Sequence, residues 1–369
     1  MRDTWLSLNP QALSNNIAVL RRHMPGSRLL AMVKADAYGH GVAALAPWLA
    51  GQVDGFGVAF LAEALALRDQ GISEPITVLE GVFSAHELGL ARQAGLDIVV
   101  HSPEQLALMG LVPDGPAVRV WLKINTGMNR LGFRPVEALK AWRALSRLDG
   151  ISGLGLVTHF ANADTLASGQ TEQQLGRFRA LQEVLAGELG EPVPDSLANS
   201  AAILAWPEAA GSWMRPGIAL YGSSPFGRQS AAFFGLQPVM TLHARLIAVH
   251  EVPAGESVGY GAAWTASQAT RIGVVSIGYG DGYPRHAPSG TPVLVNGRRC
   301  QLAGRVSMDM ITVDLGEVPA RPGDEVVLWG EGLPADEVAA AAGTISYELF
   351  CRLTPRVQRH LLADEILNG

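Results

Sequence analysis

The stretch "LLAMVKADAYGHG", residues 29–41, ends an apolar run on a charged residue. Its first five residues are typical of a short buried strand, and Lys34 follows them directly. Lysine is almost never fully buried in a folded protein unless it is paired with another group. Lys34 is therefore either a surface lysine whose stem lies along the protein, or a lysine with a chemical role.

The surrounding sequence alternates short apolar runs with longer segments of helical spacing. The predicted strands are LLAMV, GFGVAF, ITVLEGV, LDIVV, VRVWLKI, LGLVTHF, DSLANS and RPGIALYG. Strands that alternate with helices indicate parallel βαβ units, and about eight of them predict an α/β fold of the (β/α)8 TIM-like barrel type. An open doubly wound sheet is the rival interpretation. It would favour a G-x-G-x-x-G sequence in the first βα turn, which this turn lacks.

After about residue 233 the pattern changes to strands separated by turns. The strand-like runs there are VMTLHARLIAVHEV, RIGVVSIGYG, TPVLVNGRRCQLAG, MITVDL and DEVVLWG. The Asn-Gly pair in "VNGR" is a strong hairpin signal. The sequence therefore predicts two domains, a barrel over residues 1–233 and a C-terminal, mostly antiparallel β domain over residues 234–369.

Composition excludes several classes of protein. The chain has 369 residues, of which 48% are hydrophobic and 17% charged, and its net charge is −6. This balance argues against disorder and against a nucleic-acid partner. No run reaches the ~18 apolar residues of a membrane span and the N-terminus does not resemble a signal peptide, so we expect a cytoplasmic protein. The two cysteines, Cys300 and Cys351, lack metal-ligand spacing and are predicted to be buried thiols, with no metal site.

Reactive side chains gather where the predicted barrel strands end, which is where barrel enzymes place their active sites. They are Lys34, Lys123, Arg130, His159, Asn199, Ser200 and Arg215. Each has a simpler explanation alone, such as a surface ion pair, a structural histidine or a serine helix cap. Lysine, however, forms Schiff bases with carbonyl cofactors, and backbone N–H groups at a capped helix suit a phosphate. A lysine, a phosphate cradle and an arginine on one rim together predict pyridoxal phosphate.

Several motifs are similar to those of the alanine racemase family. They are AMVKADAYGHG, LKINTGMNRLGF, THFANAD, ANSAA, RPGIALYG, VGYGAAWTA, GRVSMDM and ISYELFCRLTPRV, and they run through essentially the whole chain. The resemblance implies a barrel followed by a β domain, pyridoxal phosphate as cofactor, and interconversion of L- and D-alanine. It also implies a homodimer whose active sites are shared between subunits.

The resemblance assigns roles to individual residues. Lys34 matches the cofactor lysine, which is also one catalytic base, and Tyr260 matches the second base, contributed by the opposite subunit. The other cofactor-binding positions are Tyr38, His159, Asn199, Ser200, Arg215, Gly217, Ile218 and Tyr347. The substrate-binding positions are Arg130, Met308 and Asp309, and Lys123 matches a lysine that is often carbamylated.

Two positions depart from the family pattern. Ser307 stands where a cysteine is common, and Asn125 stands where an aspartate is common, which removes a charge near Lys123. Three alternatives remain open from the sequence: a broad-specificity amino-acid racemase, a non-catalytic carrier of pyridoxal phosphate, and a barrel decarboxylase. The decarboxylase would need an acidic residue where Arg215 stands, and the carrier would lack the domain that holds Tyr260.

Overall fold

A computed structural model of the chain describes residues 4–111, 115–227 and 229–362. Its contacts divide the chain into two compact units. One contains Ile17–Ala37 and Val42–Leu220. The other contains the described residues up to Asn16, the short segment Tyr38–Gly41 and the described residues from Tyr221 onward. The domain boundary that the sequence suggests at residue 233 stays a prediction.

The first unit is built on a closed barrel of eight parallel strands. Strand β1 (Thr4–Leu8) and helix α1 (Pro10–His23) precede it in the chain. The barrel strands are β2 (Arg28–Met32), β3 (Gly55–Val58), β4 (Ile76–Val78), β5 (Asp97–Val100), β6 (Val118–Lys123), β7 (Ile151–Val157), β8 (Asp195–Ser196) and β9 (Trp213–Met214). The barrel closes because β9 pairs with β2, with Arg28 opposite Trp213. The predicted (β/α)8 fold is confirmed.

Helices follow the barrel strands β2 to β8 along the chain. They are α2 (Lys34–Tyr38), α3 (Val42–Leu49), α4 (Leu61–Asp69), α5 (Ala85–Gln93), α6 (Pro103–Leu111), α7 (Pro135–Leu145), α8 (Gln170–Leu189) and α9 (Ser200–Ala205). Of these, α2 is a left-handed turn rather than an ordinary helix.

The prediction for the last barrel strand was wrong in position. The sequence suggested RPGIALYG, whereas the strand is the preceding pair Trp213–Met214 and residues Ile218–Tyr221 form a 3-10 helix. Pro216 explains the difference, because proline has no N–H to give to a strand partner and fixes its own φ angle. The chain therefore leaves the barrel wall at Arg215 and turns.

Large side chains in the interior of the barrel pack against one another and against glycine. The rings of Trp121 and Trp213 cross edge to face with their centroids 6.5 Å apart. A Cβ atom at Gly155 would lie 2.6 Å from the Trp121 ring, so only glycine fits at that position. This packing fixes the strands whose carboxyl ends carry Lys123, His159 and Arg215.

The second unit contains a mostly antiparallel sheet, as predicted. Its strands are β10 (Met240–Val252), β13 (Thr270–Val275), β14 (Pro292–Val295), β15 (Arg298–Leu302), β16 (Ile311–Asp314), β17 (Glu325–Trp329) and β18 (Gln358–Leu361), with a separate pair β11 (Ser257–Val258) and β12 (Trp264–Thr265). Two helices, α10 (Ala335–Ala341) and α11 (Ser346–Cys351), complete it. The predicted hairpin lies between β14 and β15, where Asn296 and Gly297 both have positive φ angles.

Two features of the second unit differ from the sequence-based expectations. Strand β1 pairs with β10 and β18, so the N-terminal strand belongs to this sheet although the sequence predicted it within the barrel domain. Cys300 is buried as expected, but Cys351 is exposed because it lies on the last turn of the short helix α11. Among the described residues, none of the helices has the length and apolar character needed to cross a membrane.

Candidate functional site

Five basic side chains lie around the carboxyl ends of the barrel strands. Lys34 follows β2, Lys123 ends β6, Arg130 lies in the loop after β6, His159 follows β7 and Arg215 follows β9. Lys34, Arg130 and Arg215 are close enough to act electrostatically on both Lys123 and His159. The structure therefore brings these five predicted residues together, and we call them the basic cluster.

The backbone that leaves Lys34 is strained. Ala35, Asp36, Ala37 and Tyr38 all have φ angles between 52° and 55°, which L-residues rarely adopt. A left-handed turn costs roughly 1–2 kcal/mol for each residue other than glycine. Such strain persists only when its surroundings over-determine it, and it tends to be found at functional sites.

Hydrogen bonds from backbone N–H groups to two carboxylates hold this turn in place. Glu63 accepts from the backbone N–H of Ala35 at 2.7 Å with one oxygen, and from the N–H of Ala59 at 2.8 Å with the other. Asp36 accepts from the N–H of Val42 at 2.8 Å. Glu63 thereby ties the turn after β2 to the loop after β3, which fixes the point at which Lys34 enters the barrel mouth.

Arg215 is buried and its guanidinium is locked by three oxygen atoms. It donates to the hydroxyl of Ser196 at 2.6 Å and to the carbonyls of Thr158 at 2.6 Å and Leu197 at 3.1 Å. These three bonds use only the two terminal nitrogens, and none of them involves Nε. Burial lowers the pKa of Arg215 to about 10, so it remains a cation at neutral pH.

Ser200 and the turn after β9 form a small polar cradle. The hydroxyl oxygen of Ser200 accepts from the N–H of Gly217 at 2.9 Å and of Ala219 at 3.2 Å. Asn199 caps α9 by accepting from the N–H of Ala202 at 3.0 Å. Because Ser200 only accepts in these contacts, its own O–H remains able to donate to an anion. Gly217 and Ile218 thus lie beside a serine hydroxyl, as the sequence suggested.

Burial and charge together alter the ionisation of two members of the cluster. Burial, followed by the cations of Arg215, Arg130 and Lys34, lowers the pKa of Lys123 to about 8, against the opposing effect of Glu80. Burial and the same cations hold the pKa of His159 well below its usual range, so its imidazole is neutral. At neutral pH the cluster therefore has an excess of positive charge and suits an anionic ligand.

The loop that carries Arg130 is shaped by Asn125. The amide oxygen of Asn125 accepts from the N–H groups of Gly127 at 3.1 Å and Asn129 at 3.0 Å. An aspartate at this position would accept the same two bonds while adding a negative charge. Asn125 therefore keeps the loop geometry and leaves the positive charge around Lys123 undiminished.

Other predicted cofactor residues lie in the second unit. Tyr38 is buried, and its ring lies 5.1 Å from that of Tyr221 and 6.0 Å from that of Tyr347. Burial, and then the neighbouring Tyr347 and Cys351, raise the pKa of the Tyr38 hydroxyl above its usual range. Tyr38 therefore stays a neutral hydroxyl that is able to donate a hydrogen bond.

The predicted second base and the predicted substrate-binding residue Met308 are exposed on the second unit. Tyr260 is 70% exposed and Met308 is 53% exposed. Tyr260 stands on a turn in which Gly259, Gly261 and Ala262 have positive φ angles. In this single chain, the predicted second base therefore presents its ring to solvent.

Arg356 is a residue that the sequence analysis did not single out. Its guanidinium contacts Asp309 at 2.7 Å and the buried Asp281 at 3.3 Å. The same loop is held through its backbone, because Met308 O accepts from the N–H of Gly280 at 2.9 Å. Arg356 lies within the quoted motif LTPRV, but only the fold shows that it clamps Asp309.

Comparisons with known proteins all match the chain to one family over nearly its whole length. The family model described as "Alanine racemase, N-terminal domain" matches residues 8–225, and "Alanine racemase, C-terminal domain" matches residues 239–361. A protein of Alcanivorax borkumensis named alanine racemase is 50% identical over 98% of this chain and 100% of its own length. One of Pseudomonas putida named "Alanine racemase, catabolic" is 47% identical over 99% of this chain and 100% of its own. The crystal structure of biosynthetic alanine racemase from Pseudomonas aeruginosa has a TM-score of 0.92 and 48% identity, covering 98% of this chain and 99% of that chain.

Replacing Glu63 tests how firmly the strained turn is held. Glu63→Gln leaves one acceptor oxygen and turns an NH2 donor toward backbone N–H donors, so we expect the free energy of unfolding to fall by about 2 kcal/mol. Urea denaturation followed by circular dichroism measures the change. Glu74→Gln is the matched control, because Glu74 is equally half-buried and accepts from the backbone N–H of Gly51, outside the strained turn. Equal losses in the two variants would contradict the assigned role of Glu63.

The pKa of Lys123 predicts an unusually reactive amine. With a pKa of about 8, roughly a tenth of Lys123 is unprotonated at pH 7, whereas an ordinary lysine is almost entirely charged. Competitive labelling with an amine-reactive reagent, read by peptide mapping from pH 6 to 11, should show half-maximal reaction of Lys123 near pH 8. Lys123→Met should remove the labelled peptide. A midpoint at or above pH 10 would show that the cluster does not depress this pKa.

Proposed function

The chain belongs to the alanine racemase family, and from that premise we propose that it interconverts L-alanine and D-alanine with pyridoxal phosphate. The observation that carries the proposal is the basic cluster, in which Lys34 lies among cations, together with the Ser200 cradle, whose Gly217 follows Arg215 of the cluster by two residues. A cofactor with a phosphate and a carbonyl group needs these two features together. The proposed enzyme is an isomerase.

The donors in the barrel suit the proposed cofactor. The free O–H of Ser200 and the N–H groups of the turn from Gly217 would bind its phosphate. Arg215, whose two terminal nitrogens bind protein oxygens, would donate from Nε to the ring nitrogen. Lys34 would hold the carbonyl carbon. When bound, pyridoxal phosphate takes up the amino group of alanine and makes the proton on Cα acidic. We also assign to this cofactor the neutral hydroxyl of Tyr38, together with Tyr347, His159 and Asn199.

Arg215 favours racemisation over other reactions of the same cofactor. A guanidinium has only donors and stays protonated, so a ring nitrogen that accepts from it carries no proton of its own. By keeping the ring nitrogen unprotonated, Arg215 would make the bound cofactor a weaker electron acceptor, which would favour return of the proton to Cα over loss of the carboxylate. A barrel decarboxylase would use a carboxylate at this place to keep the ring nitrogen protonated.

We propose two bases on opposite faces of the substrate. Lys34 removes the proton of D-alanine, and Tyr260 of the partner subunit removes that of L-alanine. Two fixed bases need less motion than one base that must reach both faces. Reference pKa values for lysine and tyrosine lie near 10, so cations near both groups assist catalysis close to neutral pH. In this scheme Arg130, Met308 and Asp309 contact the alanine carboxylate and methyl group, and Arg356 positions Asp309.

A homodimer with shared active sites is part of the proposal. Tyr260, Tyr279, Met308 and Met310 are large apolar side chains that are exposed on the second unit. They lie on neighbouring loops, since the N–H of Tyr279 donates to Ser307 O at 3.0 Å. Exposed apolar groups that lie together commonly mark a protein interface. A second copy of the chain that covers this surface would also bring Tyr260 to a barrel mouth.

The metabolic role depends on the direction in which the reaction runs in the cell, from L-alanine to D-alanine or the reverse. We propose a cytoplasmic enzyme that provides D-alanine for peptidoglycan or consumes it in alanine breakdown. Relatives named for the biosynthetic and the catabolic role have 48% and 47% identity to this chain, so both roles suit it equally. A broad-specificity racemase is the second candidate, because the discrimination of one methylene group is worth only ≈ 1–3 kcal/mol.

Racemisation in deuterated water tests the function directly. With L-alanine, the protein should form D-alanine that carries deuterium on Cα, while lysine and arginine should turn over at least about 100-fold more slowly. Borohydride reduction followed by peptide mapping should place the cofactor on Lys34. Lys34→Ala should remove both signals, and Lys140→Ala, on the exposed side of α7, should keep them. Cofactor trapped on another lysine would overturn the assignment.

Mixed dimers test whether the two bases come from different subunits. Lys34→Ala and Tyr260→Phe should each be inactive alone. Isolated heterodimers of the two variants should regain about half of the wild-type activity, because one of their two sites combines an intact Lys34 with the partner's intact Tyr260. The control is a heterodimer of Lys34→Ala with a chain that carries both Lys34→Ala and Tyr260→Phe, and it should stay inactive. No recovery in the first heterodimer would show that both bases act within one chain.

A further inference from the structure

A serine, a histidine and a glutamate form a continuous hydrogen-bonded row on the second unit. The hydroxyl of Ser7 lies 2.7 Å from Nε2 of His243, and Nδ1 of His243 lies 2.5 Å from a carboxylate oxygen of Glu325. Glu325 is an acceptor only, so the proton of the ring is on Nδ1 and Nε2 has a free lone pair. Ser7 must then donate its hydroxyl proton toward Nε2.

The sheet register places these residues on one face. Trp5 of β1 is directly opposite His243 of β10, and Ser7 lies two residues after Trp5, on the same side of the strand. On the other side of β10, Glu325 of β17 is opposite Arg245, two residues after His243. Three neighbouring strands therefore converge on the histidine without any loop, and the arrangement is rigid.

We infer that Ser7 is a nucleophile, activated by His243 and oriented through Glu325, that accepts acyl groups from activated esters. This site shares no residue with the proposed racemase site. A nucleophile bonded to a base, which is itself oriented by a third group, is the general pattern of nucleophilic catalysis. Such an arrangement is recognised by geometry and roles rather than by position in the chain.

The reaction balances with groups present on the sheet. Ser7 Oγ forms a bond to the carbonyl carbon of the ester while its proton passes to Nε2 of His243. The bond to the leaving alcohol breaks, and the leaving oxygen takes the proton from His243. Water then attacks the acylated serine, gives its proton to His243, and releases the carboxylic acid as Ser7 recovers its proton.

The surroundings keep the histidine ready to accept a proton. Its ring stacks on the indole of Trp5 with centroids 4.9 Å apart and an angle of 5° between the planes. Burial lowers the pKa of His243 below its usual range, against the opposing effect of Glu325, so the neutral form dominates at neutral pH. Ser7 is only partly buried and can be reached by a small reagent.

The same sheet limits the rate and the class of substrate. Strand β1 is paired on both sides, so its backbone N–H groups are committed to β10 and β18 and do not form an oxyanion hole. The absence of one such donor costs about 10²–10³ in rate. His360, exposed and opposite Ser7 on β18, is the side chain placed to donate instead. We therefore expect fast acylation only by aryl esters and phosphonates, whose leaving groups are acidic.

Labelling of the intact holoenzyme with a fluorophosphonate probe tests the inference. The probe should modify Ser7 at least 100-fold faster than Ser257, an exposed serine whose hydroxyl bonds to Thr265. Slow release of p-nitrophenol from its acetate should accompany this reactivity. Ser7→Ala should abolish both signals, His243→Asn should reduce them about 100-fold, and Glu325→Gln about 10-fold, with alanine racemisation unchanged in all three.

Racemase activity and thermal melting show whether each variant is folded, so a loss of labelling in a folded variant has one interpretation. Modification of a serine other than Ser7 would overturn the inference. So would labelling of Ser7 at an undiminished rate in a folded His243→Asn variant. Failure of racemisation with Ser7 still labelled would instead contradict the proposed function alone.

Discussion

Most features of the barrel site depend on the positive charge of the basic cluster, which Glu80 offsets only in part. Lys34, Arg130 and Arg215 all act on Lys123, and Glu80 is the acidic group that opposes them. Like charges that share a partly buried space favour the loss of a proton from whichever member loses it most easily. Burial first, and then these like charges, lower the pKa of Lys123 and of His159, while an arginine side chain stays protonated. An anionic ligand would therefore find donors already in place and little competing negative charge.

The position of the first lysine also depends on a strained backbone. Four consecutive residues after Lys34 have left-handed φ angles, although none of them is glycine. The strain is of the order of several kcal/mol in total, and charge-assisted hydrogen bonds to Glu63 and Asp36 offset part of it. A relaxed right-handed helix would carry the chain away from the barrel in a different direction. The turn thus links the amine to the end of β2 with little freedom.

The sequence was sufficient to predict the barrel, the second β domain and the placement of the basic cluster. Apolar runs that alternate with helical segments predict the strands. Because the carboxyl ends of the strands of a parallel barrel meet at one rim, side chains that follow those strands are predicted to lie together. Pairing between distant segments was harder to predict, because β1 carries no signal that it joins β10 rather than the barrel. The strand at Trp213–Met214 is too short to show periodicity. The role of Arg356 was missed because its contacts join distant segments: Arg356 lies 75 positions from Asp281 and 47 positions from Asp309 in the chain.

In the proposed dimer, the environment of Tyr260 would change, and this change would affect its ability to act as a base. A phenol has an ordinary pKa near 10, and burial raises it further, so a tyrosine that acts as a base near neutral pH needs cations beside it that outweigh the effect of burial. In its own chain Tyr260 is 70% exposed on a turn whose positive φ angles fix its direction. The basic cluster at a barrel mouth of the partner subunit would supply such cations. Association would then complete the second base, and an isolated chain would retain only the lysine half of the proposed proton transfer.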